Sequence, residues 1–283
     1  MRLLLNLFKL RIGVAIALAA VAGMAATPGA LQGWQAAVLT LAVLVSSAAA
    51  GAFNQYIERD LDARMARTRN RPFVSGALRH GPQWLWVIGA MTAASVLAAA
   101  LAANWQAAFY VFMGALTYGV IYTVWLKRRT WLNIVIGGLA GSFAVLAGAA
   151  AVTPSLSAES IWLAVALFLW TPPHFWSLAI VCREDYAAAG VPMLPVVVGD
   201  ARCARAILGS ALVLVAATLM PALHGLGWVY LAAAAGGGAY FIAACVALVR
   251  DPGRATARAS FRASLIQLCL VLLGTIADAA LRG

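Results

Sequence analysis

Nine long apolar runs, separated by polar segments, leave this chain one kind of solvent to fold in. A helix of roughly 18 or more apolar residues is long enough to cross the hydrocarbon core of a bilayer. The runs cover approximately 12–27, 36–57, 83–103, 106–125, 131–151, 159–181, 206–223, 228–249 and 263–281. Of the 283 residues, 64% are hydrophobic and only 10% charged, so too little polar sequence is left over to build a soluble domain. The fold class expected is therefore all-α: a polytopic membrane protein of nine transmembrane helices.

The basic residues give an orientation. With the N-terminus in the cytoplasm, Arg2, Lys9 and Arg11 lie inside, followed by Arg59, Arg64, Arg67, Arg69, Arg71 and Arg79 in the first internal loop. Lys127–Arg129, then Arg183, Arg202 and Arg205, then Arg250, Arg254, Arg258 and Arg262 occupy the later internal segments. That places 19 of the 20 Lys and Arg on one side, with Arg282 alone outside, as the positive-inside rule requires. The C-terminus then falls outside, in the periplasm of a bacterium; Arg-rich, Ala-rich usage fits a GC-rich bacterial genome. The net charge of +11 is mostly topology, with some attraction for anionic lipid or an anionic substrate, and it argues for no nucleic-acid partner. The first run follows basic residues and ends near small ones, the outline of a signal peptide. Its removal would leave the other eight orientations unchanged. Cys182, Cys203, Cys245 and Cys269 form no CxxC pair, against both a disulfide framework and a zinc site.

Five of the nine acids fall in two clusters, Glu58, Asp60 and Asp62, and Glu184 and Asp185, each at the end of an apolar run. Carboxylates beside hydrocarbon are costly and usually mark function. On a helix, Asn54, Glu58 and Asp62 advance about 6 Å per step and share one face, while Asp60 points away. Hard oxygen ligands in that array suit Mg²⁺, which binds one or two carboxylates and bridges to phosphate oxygens. A helix end dipping a polar turn into water is the plainer reading. The array Arg64, Arg67, Arg69 and Arg71 follows directly, and guanidinium groups grip phosphate in pairs. Alone it would be a topogenic loop; beside the carboxylates it reads as phosphate-binding. The two long internal loops, about 58–82 and 182–205, follow the second and sixth runs and open on the same side. One cytoplasmic site capped by both is expected. Glycines at 137–138, 141, 148 and 236–238 are expected to let helices approach closely.

The pattern Asn54-x-x-x-Glu58-x-x-x-Asp62, followed by Met65-x-Arg67-Thr68-x-x-Arg71-Pro72, resembles the UbiA superfamily of intramembrane prenyltransferases. Tyr122-Thr123-x-x-Leu126-Lys127-Arg128-x-Thr130-x-x-Asn133, Trp170-Thr-Pro-Pro-His174-Phe-Trp176 and Tyr186-Ala-Ala-Ala-Gly190-Val-Pro-Met-Leu-Pro195 are similar to the protoheme IX farnesyltransferases within it. The resemblance runs from about Lys9 to the last run. It implies a single domain over 1–283, a bundle around a central cavity, and farnesyl transfer from farnesyl diphosphate to heme B in a bacterial inner membrane. It also implies Mg²⁺ held by Asn54, Glu58 and Asp62, and exchange with heme A synthase or oxidase assembly proteins. Arg67, Arg71, Lys127 and Arg128 would assist the departing diphosphate. At the second acidic motif Cys182 and Tyr186 stand where relatives carry aspartates, which puts a metal at Glu184 or Asp185 in doubt. Ala144-Val145, and Leu10 between Lys9 and Arg11, also depart from the family where proline is usual.

His174 follows Pro172 and Pro173, expected to break the helix and line a cavity. Its imidazole could ligate heme iron or hold a propionate, or it could be a kink histidine with a satisfied hydrogen bond. Tyr118, Tyr122, Trp170, Phe175 and Trp176 could stack on a porphyrin or shield a cation, or simply pack. The rivals to heme farnesylation are prenyl transfer to a quinone precursor, a secondary transporter coupled through intramembrane acids, and a non-catalytic scaffold. Transporters set such acids near the bilayer midplane rather than at helix ends beside arginines.

Overall fold

With no water at membrane depth, each spanning segment must satisfy its own backbone, and helix is the one local solution. A computed structural model describes residues 2–282, and among them there is no strand. In chain order the elements are α1 (Arg2–Leu7), α2 (Leu10–Ala26), α3 (Gly33–Ile57), α4 (Arg59–Arg64), α5 (Gln83–Ala102) and α6 (Trp105–Leu116). A π-helical segment (Thr117–Leu126) continues α6. Then come α7 (Asn133–Gly137), α8 (Leu139–Val152), α9 (Ala158–Val181), α10 (Arg183–Ala188), α11 (Leu194–Val198), α12 (Asp200–Leu223), α13 (Trp228–Arg250) and α14 (Arg254–Arg282).

Among the described residues eight continuous helical stretches are long and apolar enough to cross a membrane. The expected first span falls short of that length: α2 has 17 residues. α2 covers nearly all of that run, and a left-handed residue at Lys9 separates it from α1. The other expected spans are found, with ends set by local chemistry. The Asn104 side chain caps α6 through the Ala107 N–H at 2.8 Å, and Gln32 and Gln35 form a reciprocal cap on α3.

One expectation fails outright. Pro172 and Pro173 do not break α9, which runs unbroken through both. The two prolines withhold N–H donors only from the carbonyls one turn earlier, a loss that membrane helices tolerate, and the turn that follows is closed as usual, with the Ser177 hydroxyl donating to the Pro173 carbonyl at 2.7 Å.

Close contacts join α2 to α8, α3 to α5, α9 to α12 and α13 to α14. Small residues allow the first of these. A Cβ on Gly148 would run into the Ala20 carbonyl, and one on Gly23 into that of Val145. At one end of the bundle α3 turns into α4, and the chain then winds without regular helix to α5. The second long loop, built on α10 and α11, lies against it.

Candidate active site

The turn from α3 to α4 keeps an almost helical path. The Glu58 amide donates to the Asn54 carbonyl at 3.0 Å, and the Asp62 amide to that of Glu58 at 2.8 Å. The spacing read from sequence therefore survives the change of element. Asn54, Glu58 and Asp62 are 2%, 0% and 1% exposed, and Asp60 is turned outward. Those three side chains face the interior rather than lipid.

Each meets a basic group. Lys127 Nζ lies 2.6 Å from Glu58 Oε2, and Arg71 Nη1 lies 2.6 Å from Asp62 Oδ2. Lys9 Nζ donates to Asn54 Oδ1 at 2.5 Å and to the Tyr118 hydroxyl at 3.1 Å. The Asn54 amide donates in turn to Thr123 Oγ1, and that hydroxyl to the Tyr118 carbonyl. Burial lifts the Asp62 carboxyl above the ordinary carboxylate range even with Arg71 alongside. Burial, with the positive Arg71 nearby, brings the Lys9 ammonium down to about 7. The pocket thus brings three cations to two carboxylates.

The π-helical segment makes this possible. Its bonds run i→i+5, as from the Lys127 amide to the Tyr122 carbonyl, so residues five apart point the same way. Tyr118 and Thr123 turn together toward Asn54, and Tyr122 and Lys127 toward Glu58. The Tyr118 and Tyr122 rings stack at 5.5 Å, and Lys127 Nζ sits 5.6 Å from the Tyr122 centroid. With Leu61, Met65 and Phe175 the tyrosines form an apolar wall.

The two long loops are tied together here. Asp185 Oδ1 accepts the Ala66 N–H at 3.0 Å, and Arg67 Nη2 donates to the Tyr186 hydroxyl at 3.1 Å, its guanidinium 5.3 Å from that ring's centroid. Glu184 is exposed, 3.9 Å from Arg254. The second acidic cluster therefore holds the first loop.

Other candidates lie elsewhere. Arg128 is bound through both nitrogens to Asp60, at 2.7 and 2.8 Å, on the outward side of α4, and this holds the Asp60 carboxyl below its usual range. His174 Nδ1 meets Ser264 Oγ at 2.7 Å, and its ring lies between Trp170 and Phe261. One of its ring nitrogens is thus hydrogen-bonded within the bundle, on a helix that does not break there. Trp176 is buried among α9, α12 and α13 side chains, with its indole N–H unpartnered among the described residues. Sequence reasoning missed Lys9 and Thr123 as site residues. Lys9 looks like any topogenic charge, and Thr123 points inward only because the helix is π.

The donor set suits a hard divalent cation. Glu58 Oε1 is buried without a hydrogen-bond partner among the described residues, beside a second carboxylate and an amide oxygen.

A UbiA prenyltransferase family model matches residues 15–268. The chain belongs to the UbiA prenyltransferase family. Within it, the chain is 57% identical over 284 aligned residues to protoheme IX farnesyltransferase 2 of Paramagnetospirillum magneticum, covering 100% of this chain and 99% of that one. It is 47% identical to protoheme IX farnesyltransferase 1 of the same organism, over 97% of both. The fold matches a digeranylgeranylglyceryl phosphate synthase at TM-score 0.80 and 18% identity, over 98% of each chain. It also matches a UbiA homologue from Archaeoglobus fulgidus bound to dimethylallyl diphosphate and Mg²⁺, at TM-score 0.73 and 16% identity, covering 95% of this chain and 99% of that one. This UbiA member is a multi-pass membrane prenyltransferase.

Proposed function

We propose that this UbiA enzyme transfers farnesyl from farnesyl diphosphate to the vinyl group of heme B, giving heme O with its hydroxyethylfarnesyl chain. The near full-length kinship with protoheme IX farnesyltransferases supports the acceptor. The buried Asn54–Glu58–Asp62 face, ringed by Lys9, Arg71 and Lys127, is the observation that carries the chemistry.

Asn54, Glu58 and Asp62 would hold Mg²⁺. When bound, the metal neutralises diphosphate charge and makes that group a better leaving group. The chain's own residues do the rest. Lys127 and Arg71, held by Glu58 and Asp62, stand where they can turn to the leaving oxygens and stabilise the charge that grows there. Arg67, steadied by Tyr186, guards the rim. The C1–O bond of the isoprenoid breaks and its electron pair leaves with the diphosphate. Tyr118 and Tyr122 offer π faces to the allylic cation, and the apolar wall keeps water from quenching it. A vinyl carbon of the porphyrin then bonds to C1, and water adds to the resulting cation and loses a proton. Arg128, His174 and Trp176 lie outside the diphosphate pocket in this scheme.

In this reading residues 1–283 form one domain, with the loops at about 58–82 and 182–205 capping a cytoplasmic site. The membrane is a bacterial inner membrane, with the N-terminus cytoplasmic and the C-terminus periplasmic. Heme O passes on to a heme A synthase or an oxidase assembly protein. The test is to incubate the purified protein with heme B, farnesyl diphosphate and Mg²⁺ and identify the porphyrin by mass. Heme O that disappears with chelator is the expected product; heme B recovered unchanged overturns the reading.

A further inference from the structure

We propose that Lys9 is a substrate-binding residue, a lysine carried by the N-terminal segment into the carboxylate pocket to grip the diphosphate of the allylic substrate. The inference deepens the prenyl-transfer reading and rests on it.

Lys9 does not lie where a topogenic charge should. A lysine at a helix start normally extends to water or lipid headgroups. Here Nζ turns inward to Asn54 and Tyr118. The backbone is bent to achieve this. Lys9 has φ 47° and ψ 41°, and among the described residues it alone of the non-glycines has positive φ. That conformation costs an L-residue about 1–2 kcal/mol and persists only where the surroundings fix it.

Three contacts fix it. The Gln55 side-chain amide donates to the Asn6 and Leu7 carbonyls at 2.7 and 3.1 Å, pinning the end of α1 to α3. Leu7 is fully buried against Phe73 and Ile88. Gly51, one turn before Asn54, leaves a track for the lysine stem: a Cβ there would sit 3.4 Å from Lys9 Cβ and 3.5 Å from Cδ.

The charges point to an anion. Glu58 has Lys127 and Asp62 has Arg71, whereas Lys9 forms no ion pair among the described residues. Its partners are a neutral amide and a phenol. The nearby carboxylates are already taken by Lys127 and Arg71, so Lys9 Nζ is the basic group of the pocket with no charged partner of its own among the described residues. A diphosphate oxygen would be that partner, and lysine is a common point-charge ligand for phosphate.

The test uses the full chain in detergent with Lys9→Met, which keeps the stem, and Lys9→Arg, which keeps the charge. Calorimetry measures inorganic pyrophosphate binding at saturating Mg²⁺ and, separately, Mg²⁺ binding without pyrophosphate, and kinetics measure KM for farnesyl diphosphate at saturating Mg²⁺. Lys9→Met should weaken pyrophosphate binding and raise KM at least tenfold, and Lys9→Arg should recover most of both. Unchanged pyrophosphate binding in Lys9→Met overturns the proposal. So does a loss of Mg²⁺ affinity without pyrophosphate as large as the loss of pyrophosphate binding, because Lys9 would then only hold Asn54. Pyrophosphate binding needs no heme, so the two readings can fail separately. Wild-type protein that makes heme O while Lys9→Met binds pyrophosphate normally removes Lys9 and leaves the reaction. Lys9-dependent pyrophosphate binding without heme O does the reverse.

Discussion

Asp60 and Asp62 are two residues apart and face opposite worlds. Asp62 is buried on Arg71; Asp60 shares an exposed pair with Arg128, the kind that contributes about 0.2–1 kcal/mol to stability. Asp62→Ala should therefore lower heme O formation by roughly a hundredfold or more, the scale of losing a preorganised charge contact. Asp60→Ala should stay within about threefold of wild type, the rate effect of less than 1 kcal/mol. Mass analysis of membrane porphyrins at matched protein levels checks the pair, and equal losses would remove the face-specific site. This contrast was legible in the sequence because i, i+4 spacing fixes which side chains share a face. Lys9 was not legible. Its inward turn depends on a left-handed backbone and a glycine 42 positions away, and no local pattern encodes either.

At the scale of elements, the site depends on a π-helix and on a clasp between loops. The sequence Thr117–Leu126 reads as one more apolar span, and nothing in its composition separates i→i+5 from i→i+4 bonding. The difference comes from what the segment packs against, Asn54 on one side and the Gly137 backbone beside Tyr122 on the other. Deleting Val120, whose side chain is exposed, should restore α geometry and turn Tyr118 and Thr123 away from Lys127. The variant should insert normally and lose at least tenfold in activity; wild-type turnover would show that the register does not matter. The clasp gives a milder prediction. Asp185→Ala frees the Ala66 amide, so the arginine loop should become more open to protease and KM for farnesyl diphosphate should rise several-fold with kcat less affected. Digestion of the intact protein, with and without pyrophosphate, would show it. The sequence located both acidic clusters but could not show that the second answers a backbone amide of the first. That bond joins residues 119 apart in the chain.

Across the whole molecule, the apolar runs determined class and nearly all the spans, because hydrocarbon rewards any self-satisfied helix of sufficient length. The first run became a helix about a residue short of spanning length, and the prolines, not the runs, misled at α9, which continues through Pro172 and Pro173. What the runs could not fix is which helices touch. In lipid, burying apolar side chains against one another gains little over leaving them in hydrocarbon, so association rests on close packing. The glycines of α2 and α8 make this testable. Gly148 faces the Ala20 backbone, whereas Gly209 on α12 has open space where a side chain would go. Gly148→Val must force α2 and α8 apart, and since α3 and α6 also pack on this pair the displacement spreads toward the pocket. Gly209→Val meets no neighbour and adds only a side chain facing lipid or solvent. In detergent, the first variant should unfold or aggregate at a markedly lower temperature with activity falling in parallel, and the second should stay near wild type. Equal thermal behaviour of the two would mean that close approach of α2 and α8 does not hold the bundle together.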